Sequence, residues 1–454
     1  MGIKVAVVGS GPSGLYAAEA LNDQGAVVDV FDKLPVPFGL VRYGVAPDHL
    51  SIRSVRNTLD RIWDREGVRF VGNVEVGSDV TIEELRAAYD AVVFTYGASS
   101  DRRLAVPGED LPGSVAATDL VAWYTGHPDY RGPDFDDLLR RVRSVAVVGV
   151  GNVAVDVVRV LSKSPEELAH TDMPEHVLAT LAAAPVAQVH LIGRRGPAQA
   201  SFTTKELKEL GELADAGVFV SPADVELDST SEAAVAESKV AARNVKVLSE
   251  WAERVPRPDA RVQITAHFFA RPTQIIGDNE VTGLELERTA FDSDGSLVDT
   301  GERERLDVDL IVRSVGYRGL ALTGVPFDES RGVIPHRDGR VLDGTNTPIA
   351  GLYVAGWIKR GPSGIIGTNK KCAVQTVGSL MEDVESGVVG NRSDNGRDLV
   401  EELHARGVAV VGVPGWRAVD RVEQQRGAAL GKERVTVHDR AELLELATQS
   451  HPAT

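Results

Sequence analysis

The sequence predicts an α/β fold built on two Rossmann-like, nucleotide-binding units. Two glycine-rich turns carry this prediction, Gly9-Ser10-Gly11-Pro12-Ser13-Gly14 and Gly149-Val150-Gly151-Asn152-Val153-Ala154. Each follows a short β-branched run and opens a helical pattern, and each helix leads to a further apolar run. A β-α-β crossover needs a parallel sheet with helices covering it. At roughly 150 residues per domain, 454 residues suggest two to three domains.

The elements follow in order. Ile3–Val8 reads as a strand ending at Gly9, a helical pattern follows with Leu15, Ala18 and Leu21 on one face, and Val27–Phe31 is the second strand. Residues 35–47 are a loop, since Pro35, Pro37, Gly39, Gly44 and Pro47 break any regular pattern. Residues 49–65 look helical and arginine-rich, and Val92–Tyr96 reads as a buried strand. The second unit begins at Val145–Val148, continues through a helix with Val153, Val157, Val160 and Leu161, and reaches its matching strand at Val189–Ile192. Between them, 162–185 is an insertion marked by Pro165, Pro174 and Pro185. Residues 203–216 look helical, 261–317 alternate in short strands, Leu352–Ala355 is another strand and Thr368–Asp383 a helix. The polar stretch Glu385–Asp398 sets off a C-terminal piece, 399–447, expected to mix helix and strand and to pack on the main body.

In the first turn, Gly9 allows the tight bend, Gly11 lets backbone approach a pyrophosphate, and Gly14 lets helix and strand pack closely. A diphosphate then faces the free N–H groups and positive dipole end of the helix. Asp32, ending the second strand, stands where a carboxylate accepts from ribose hydroxyls. In the second unit that position holds Arg194 and Arg195 instead. A carboxylate there would repel a 2′-phosphate, whereas guanidinium groups bind one bidentately. The pair of sites indicates FAD on the first unit and NADP(H) on the second, the combination that moves a hydride to a flavin. A third glycine-rich stretch, 356–371, leads into a helix whose N-terminus is suited to the flavin pyrimidine edge, where negative charge collects on reduction.

Composition narrows the chemistry. The chain is 43% hydrophobic and 25% charged, as ordinary globular proteins are. Its 1 cysteine, Cys372, excludes an internal disulfide, a Cys-ligated zinc site, a four-cysteine iron–sulfur cluster and a dithiol redox centre, and no metal ligand set is expected. A net charge of -17 argues against general binding to nucleic acid or anionic membrane. Apolar runs such as 145–161 are interrupted by Gly, Asn, Asp and Arg, so no membrane insertion is expected. No signal peptide is evident, which makes the cytoplasm the expected compartment.

Several local blocks together resemble the adrenodoxin-reductase-like ferredoxin–NADP+ reductases, in particular their actinobacterial members. The blocks are 39–49 (GLVRYGVAPDH), 106–110 (VPGED), 193–197 (GRRGP), 202–207 (FTTKEL) and the 356–371 loop, and the likeness spans about residues 3–384. It implies an NADP domain inserted into a discontinuous FAD domain: 1–104 and 319–384 for FAD, 105–318 for NADP, and a C-terminal extension, 385–454, of unknown role. It implies FAD contacts at Gly11, Ser13, Asp32, Leu40, Val74, Trp357, Gly364, Ile365 and Ile366, with Gly9 and Gly14 shaping the turn. It implies NADP contacts at Arg102, Asn152, Val153, Ala154, Val155, Arg194, Arg195 and Glu206, with Gly364 near the nicotinamide and with His49 and Glu209 close to the reacting rings. Hydride transfer needs alignment more than a base. His49 and Glu209 are therefore expected to tune position, proton supply and local charge. Two residues depart from the family pattern: Cys372 stands where relatives often carry Asp, and Asp32 is shorter than the usual Glu, which lengthens its ribose contact or routes it through water.

The function so implied passes a hydride from NADPH to FAD and then single electrons to an iron–sulfur ferredoxin. An acidic ferredoxin needs a basic docking face, for which Arg42, Arg53, Arg56, Lys359, Arg360, Lys370, Lys371, Lys205 and Lys208 are candidates. Two alternatives are an NADPH-dependent flavoprotein reductase or diaphorase with another acceptor, and a nucleotide-binding redox sensor without turnover.

Overall fold

The computed structural model describes residues 2–255, 257–390 and 398–449. Residues 391–397 of the expected polar separator lie outside them. The chain divides into two compact units: residues 1–100, 125–129 and 317–454 form unit 1, and 101–124 with 130–316 form unit 2.

Unit 1 is built on a seven-stranded sheet in the order His336–Arg337, Arg340–Leu342, Pro348–Val354, Ala91–Phe94, Lys4–Val8, Val27–Phe31, Val68–Val71. The last five are mutually parallel, and the first two add an antiparallel edge. Residue alternation buries both faces. Val5, Val7, Val28 and Val30 enter one core cluster, whereas Ala6, Val8, Phe31 and Phe94 enter the other. Helix Pro12–Asp23 starts with Pro in its first turn, where the missing N–H costs nothing, and packs against helix Ile366–Glu385.

The expected helix over 49–65 runs as three short pieces, Leu50–Arg53, Val55–Asp60 and a 3₁₀ turn at Arg61–Asp64. The C-terminal piece contains helices Leu399–Ala405, Val413–Ala429 and Arg440–Thr448, and among its described residues only an isolated bridge, Val411 to Gly72, in place of the expected strands. Residues 434–437 are extended and tied to Glu423: Val435 N–H donates to the Glu423 carbonyl, and Val437 N–H to the Glu423 carboxylate. Trp416, Val419, Leu443 and Ala447 join the core beside the first helix, so this piece belongs to unit 1. Glu423, wholly buried, pairs with the buried Arg42 and lies 3.3 Å from Arg434, which also holds Asp420 at 2.7 Å. Trp416 meets Phe38 edge-on at 5.4 Å.

Unit 2 carries a six-stranded sheet in the order Ser114–Ala116, Leu310–Arg313, Ser144–Val148, Gln188–Ile192, Val262–His267, Ala216–Val220, all parallel. An antiparallel three-stranded sheet, Ala270–Ile276, Gly283–Phe291 and Leu297–Leu306, packs Ile275, Leu284 and Leu286 against Ala146, Val148, Ile192 and Ile311 on one face. The insertion at 162–185 contains helices Pro165–Leu168 and Glu175–Ala183. No helix among the described residues is long and apolar enough to cross a membrane.

Candidate functional site

In unit 1 the candidate residues gather at the carboxyl ends of the parallel strands, the usual ligand edge of such a sheet. Strand Lys4–Val8 runs into Gly9, Val27–Phe31 into Asp32, Ala91–Phe94 into Thr95, and Pro348–Val354 into Gly356. Each glycine of the first turn has the use its position implies. Gly9 has φ +107, and a β-carbon there would lie 2.8 Å from the Tyr96 backbone. A β-carbon on Gly14 would sit 1.9 Å from the Gly9 carbonyl oxygen, so helix and turn touch only because none is present. Gly11 has nothing within 4 Å of that position, and as N-cap of the helix it leaves the first N–H groups without a side-chain acceptor. This is an open cradle for a diphosphate.

Asp32 has a second task that its motif position does not announce. One carboxylate oxygen accepts from Ser10 N–H at 2.9 Å and Ser10 Oγ at 2.5 Å, and the other from Leu34 N–H at 2.9 Å. Burial pushes this carboxyl up, against those hydrogen bonds. The short side chain thus staples the glycine turn to the following loop. That loop then folds back: Phe38, buried at φ +85, donates its N–H to the Ser10 carbonyl, and a β-carbon on Gly39 would meet Gly11 Cα at 3.2 Å. Leu40 follows, 38% exposed. Val74 is buried and donates its N–H to the Asp32 carbonyl.

Around the third glycine stretch, Gly356 has φ +77 and packs on Ser13, whose buried hydroxyl would lie 2.6 Å from a β-carbon there. Gly356 N–H points at Cys372 Sγ, 3.3 Å away, so the thiol is buried as an acceptor for the loop. Trp357 is partly buried with its ring 5.7 Å from Tyr317, and Gly364 and Ile365 are exposed ahead of the helix that starts at Ile366. His49 is buried, and its carbonyl accepts from Ile52 and Arg53 at the start of turn Leu50–Arg53.

Unit 2 repeats the logic. Gly149 has φ +134, and a β-carbon would lie 2.1 Å from the Ser314 carbonyl oxygen. Gly151 caps helix Asn152–Ser162 without a side-chain acceptor. Asn152 Oδ1 accepts from Thr203 N–H at 2.8 Å, and Thr203 in turn caps helix Thr204–Leu210. Val153 is partly exposed, Ala154 and Val155 are wholly buried, and Val155 N–H is bonded to the Gly151 carbonyl. Val155 packs the helix and offers no donor to the loop. Arg194 and Arg195 end strand Gln188–Ile192 with exposed side chains that make no ion pair among the described residues. Their carbonyls are fixed, Arg194 by Thr289 Oγ1 at 2.8 Å and Arg195 by Phe269 N–H at 3.1 Å. Glu206 and Glu209 both face Arg159 Nη1, at 3.2 and 3.4 Å. Arg159, buried and also 3.0 Å from Asp156, is a residue sequence reading passed over, because a lone arginine in an apolar helix looks like a solvated interruption.

The expected basic face needs correction. Arg42, Arg53, Arg56 and Lys359 are buried: Arg42 pairs with Glu423, Arg53 donates to the Val45 carbonyl, Arg56 pairs with Glu433, and Lys359 donates to Thr376 Oγ1. Burial lowers the pKa of Lys359. Arg360 is partly buried and bonded to Asn369. Lys370, Lys371, Lys205 and Lys208 remain exposed, Lys370 beside Glu19 at 3.2 Å and Lys205 beside Glu209 at 3.9 Å.

Fold and site together define a two-nucleotide α/β protein in which one dinucleotide-binding unit is inserted into another. Comparison with known proteins agrees. The family model described as NAD(P)-binding Rossmann-like domain matches residues 7–58. NADPH-ferredoxin reductase FprA of Mycobacterium tuberculosis is 43% identical, with 97% of this chain and 98% of that protein covered. The mitochondrial NADPH:adrenodoxin oxidoreductase of Arabidopsis thaliana is 40% identical, covering 95% of this chain and 92% of its own. The solved structure of Mycobacterium tuberculosis FprA in complex with NADPH superimposes with a TM-score of 0.90 at 41% identity, covering 98% and 100% of the two chains. The chain belongs to the family of NADPH-ferredoxin and adrenodoxin reductases.

Proposed function

We propose that this chain is an FAD-dependent NADPH–ferredoxin reductase, which takes a hydride from NADPH and delivers single electrons to an iron–sulfur ferredoxin. The observation that carries the reading is the contrast between the two ribose ends. On unit 1 an acid is tied into the glycine turn, while on unit 2 two exposed arginines stand without an ion pair among the described residues. The full-length likeness to named reductases supports the reaction and the partner.

FAD fits unit 1, because Gly11 leaves open the space that a β-carbon would fill and the helix behind it has uncapped N–H groups. When bound, FAD supplies a two-electron acceptor that hands electrons on singly. The Gly9–Gly14 backbone would hold its diphosphate and Asp32 its ribose, with Leu40, Val74, Trp357 and residues 364–366 around the rings. In unit 2, Arg194 and Arg195 would grip the 2′-phosphate of NADPH, Asn152 to Ala154 would face its diphosphate through the helix N-terminus, and Arg102 and Glu206 would complete the contact. His49 and Glu209 would set local charge and proton supply, since alignment of the reacting rings supplies most of the rate.

Anaerobic stopped-flow reduction tests this. The purified protein is expected to be yellow, to bleach rapidly with NADPH and far more slowly with NADH, and then to reduce a ferredoxin. A colourless protein, or one bleached preferentially by NADH, would overturn the assignment.

A further inference from the structure

The 106–110 block, VPGED, has no task in the scheme above, yet it contains a buried carboxylate with an unusual set of partners. Glu109 is 3% exposed. Its Oε1 accepts from Leu104 N–H at 2.7 Å and its Oε2 from Ala105 N–H at 2.8 Å. Ala105 has φ +57, a left-handed conformation that a non-glycine residue holds only where its surroundings impose it. The block is itself anchored. Ile275 N–H donates to the Pro107 carbonyl at 2.9 Å, and a β-carbon on Gly108 (φ +81) would lie 2.1 Å from the Ile275 carbonyl oxygen.

Arg313 completes the arrangement from the end of strand Leu310–Arg313. Its Nε lies 3.4 Å from Glu109 Oε1 and 3.5 Å from Asp101 Oδ2, while Nη1 donates to the Glu109 carbonyl, the Ser114 carbonyl and Ser114 Oγ. This strand neighbours the one that runs into the phosphate turn, and Ser314, the next residue, is the one whose carbonyl forbids a side chain at Gly149. Segment 101–105 is thus held at both ends beside that turn: by Glu109 at 104–105, and by Arg102 N–H donating to the Gly316 carbonyl at 2.9 Å. Arg102 Cδ passes 3.8 Å from where a β-carbon on Gly316 would stand. Its neighbour Arg103 is consumed by Glu109 at 3.3 Å and Asp110 at 2.6 Å, whereas exposed Arg102 makes no ion pair among the described residues.

We infer that Glu109 is a positioning residue for NADP(H). With Arg313 it fixes the strained 104–105 backbone, so that Arg102 presents its guanidinium to a phosphate of the nucleotide beside the Gly149 turn. The inference rests on the proposed NADP(H) site of unit 2. The carboxylate form is needed, because both oxygens accept backbone N–H groups while facing a guanidinium. A glutamine has one acceptor and turns its NH₂ toward one of those donors.

The test is NADP+ and 2′,5′-ADP binding by titration of the FAD-loaded protein. Glu109→Gln is expected to raise the NADP+ Kd about tenfold, or about 1.4 kcal/mol, with bound FAD and its absorbance spectrum unchanged. Arg102→Ala should lose at least as much, and Glu109→Gln with Arg102→Ala no more than Arg102→Ala alone, because one acts through the other. Arg313→Lys, which keeps the charge but not the fork, should reproduce the Glu109→Gln effect and serves if Glu109→Gln folds poorly. In NADPH turnover the loss should fall mainly on KM rather than kcat. Additive losses in the double variant, or an unchanged Kd in Glu109→Gln, would overturn the inference. Failure of the unaltered protein to bind NADP+ would instead refute the proposed function.

Discussion

Replacing Glu423 by Gln removes one charge from a fully buried centre. Glu423 is wholly buried, and its carboxylate accepts from both terminal nitrogens of Arg42, from Arg434 at 3.3 Å and from Val437 N–H at 2.8 Å. Burial alone would lower the pKa of Arg42, but Glu423 beside it holds that guanidinium well above its ordinary value. In Glu423→Gln, Arg42 keeps its charge and loses its counter-ion, while Arg434 retains Asp420 at 2.7 Å. Breaking a buried pair from one side costs about 3–5 kcal/mol, whereas replacing both partners with apolar groups of similar size costs far less. At roughly 2–4 °C per kcal/mol for a unit of this size, the melting midpoint should fall by about 6–20 °C. Trp416, with Arg42 5.5 Å from its ring, makes tryptophan fluorescence a suitable probe alongside calorimetry. The double variant Arg42→Met with Glu423→Leu should recover most of the loss. A Glu423→Gln protein within about 1 kcal/mol of the parent, or a double variant worse than either single one, would refute the reasoning.

Matched glycine substitutions should separate the two nucleotide sites: Gly14→Ala should abolish FAD retention, and Gly149→Ala should leave FAD bound but abolish tight NADP+ binding, as read by absorbance and titration, because both β-carbons collide with backbone oxygen. Replacing Arg194 and Arg195 together by Ala should cost about 2–4 kcal/mol of NADPH affinity while NADH affinity stays within about threefold, in a comparison of KM values for the two nucleotides. His190 Nδ1 lies 3.0 Å from His267 Nε2, and burial with the neighbouring imidazole pushes His190 down to about 4. The unfolded chain therefore binds more protons in this window. Stability should be full above about pH 6.5 and fall by up to about 3 kcal/mol as pH drops toward 4, a slope that His190→Asn should flatten in pH-dependent melting. Ferredoxin reduction should weaken steeply between low and high salt while ferricyanide reduction barely changes, and Lys370→Glu with Lys371→Glu should remove much of that difference.

The glycine turns were legible because they are constraints on backbone, and backbone constraints act over a few residues. Gly9, Gly14 and Gly149 each sit where any side chain would strike a carbonyl or main chain, and a β-run followed by that spacing says so without tertiary information. Strand Val27–Phe31 was readable for the same local reason. The buried charges were not. Arg42 and Glu423 are 381 residues apart, and an arginine beside a glycine loop reads as solvent-facing until its partner is known. Arg53, Arg56 and Lys359 misled in the same way, which is why the expected docking face shrank to lysines. The strand expected somewhere in 399–447 did not form among the described residues, and in the extended segment Arg434–Val437 the N–H groups of Val435 and Val437 serve a carbonyl and a carboxylate of one helix rather than a ladder.

The discontinuity of unit 1 also dictates an order of events during synthesis. Strand Ala91–Phe94 lies between Lys4–Val8 and Pro348–Val354, so one flank of the sheet centre stays open until the ribosome has passed residue 354. Unit 2 ends at Gly316 and has all six strands of its main sheet by then. At about 5–20 residues per second, the 381 residues between Arg42 and Glu423 take roughly 20–80 s to make. During that interval the first hundred residues wait with an apolar strand edge and with Arg42 and Arg56 not yet met by Glu423 and Glu433. The nascent protein therefore completes its middle before its beginning.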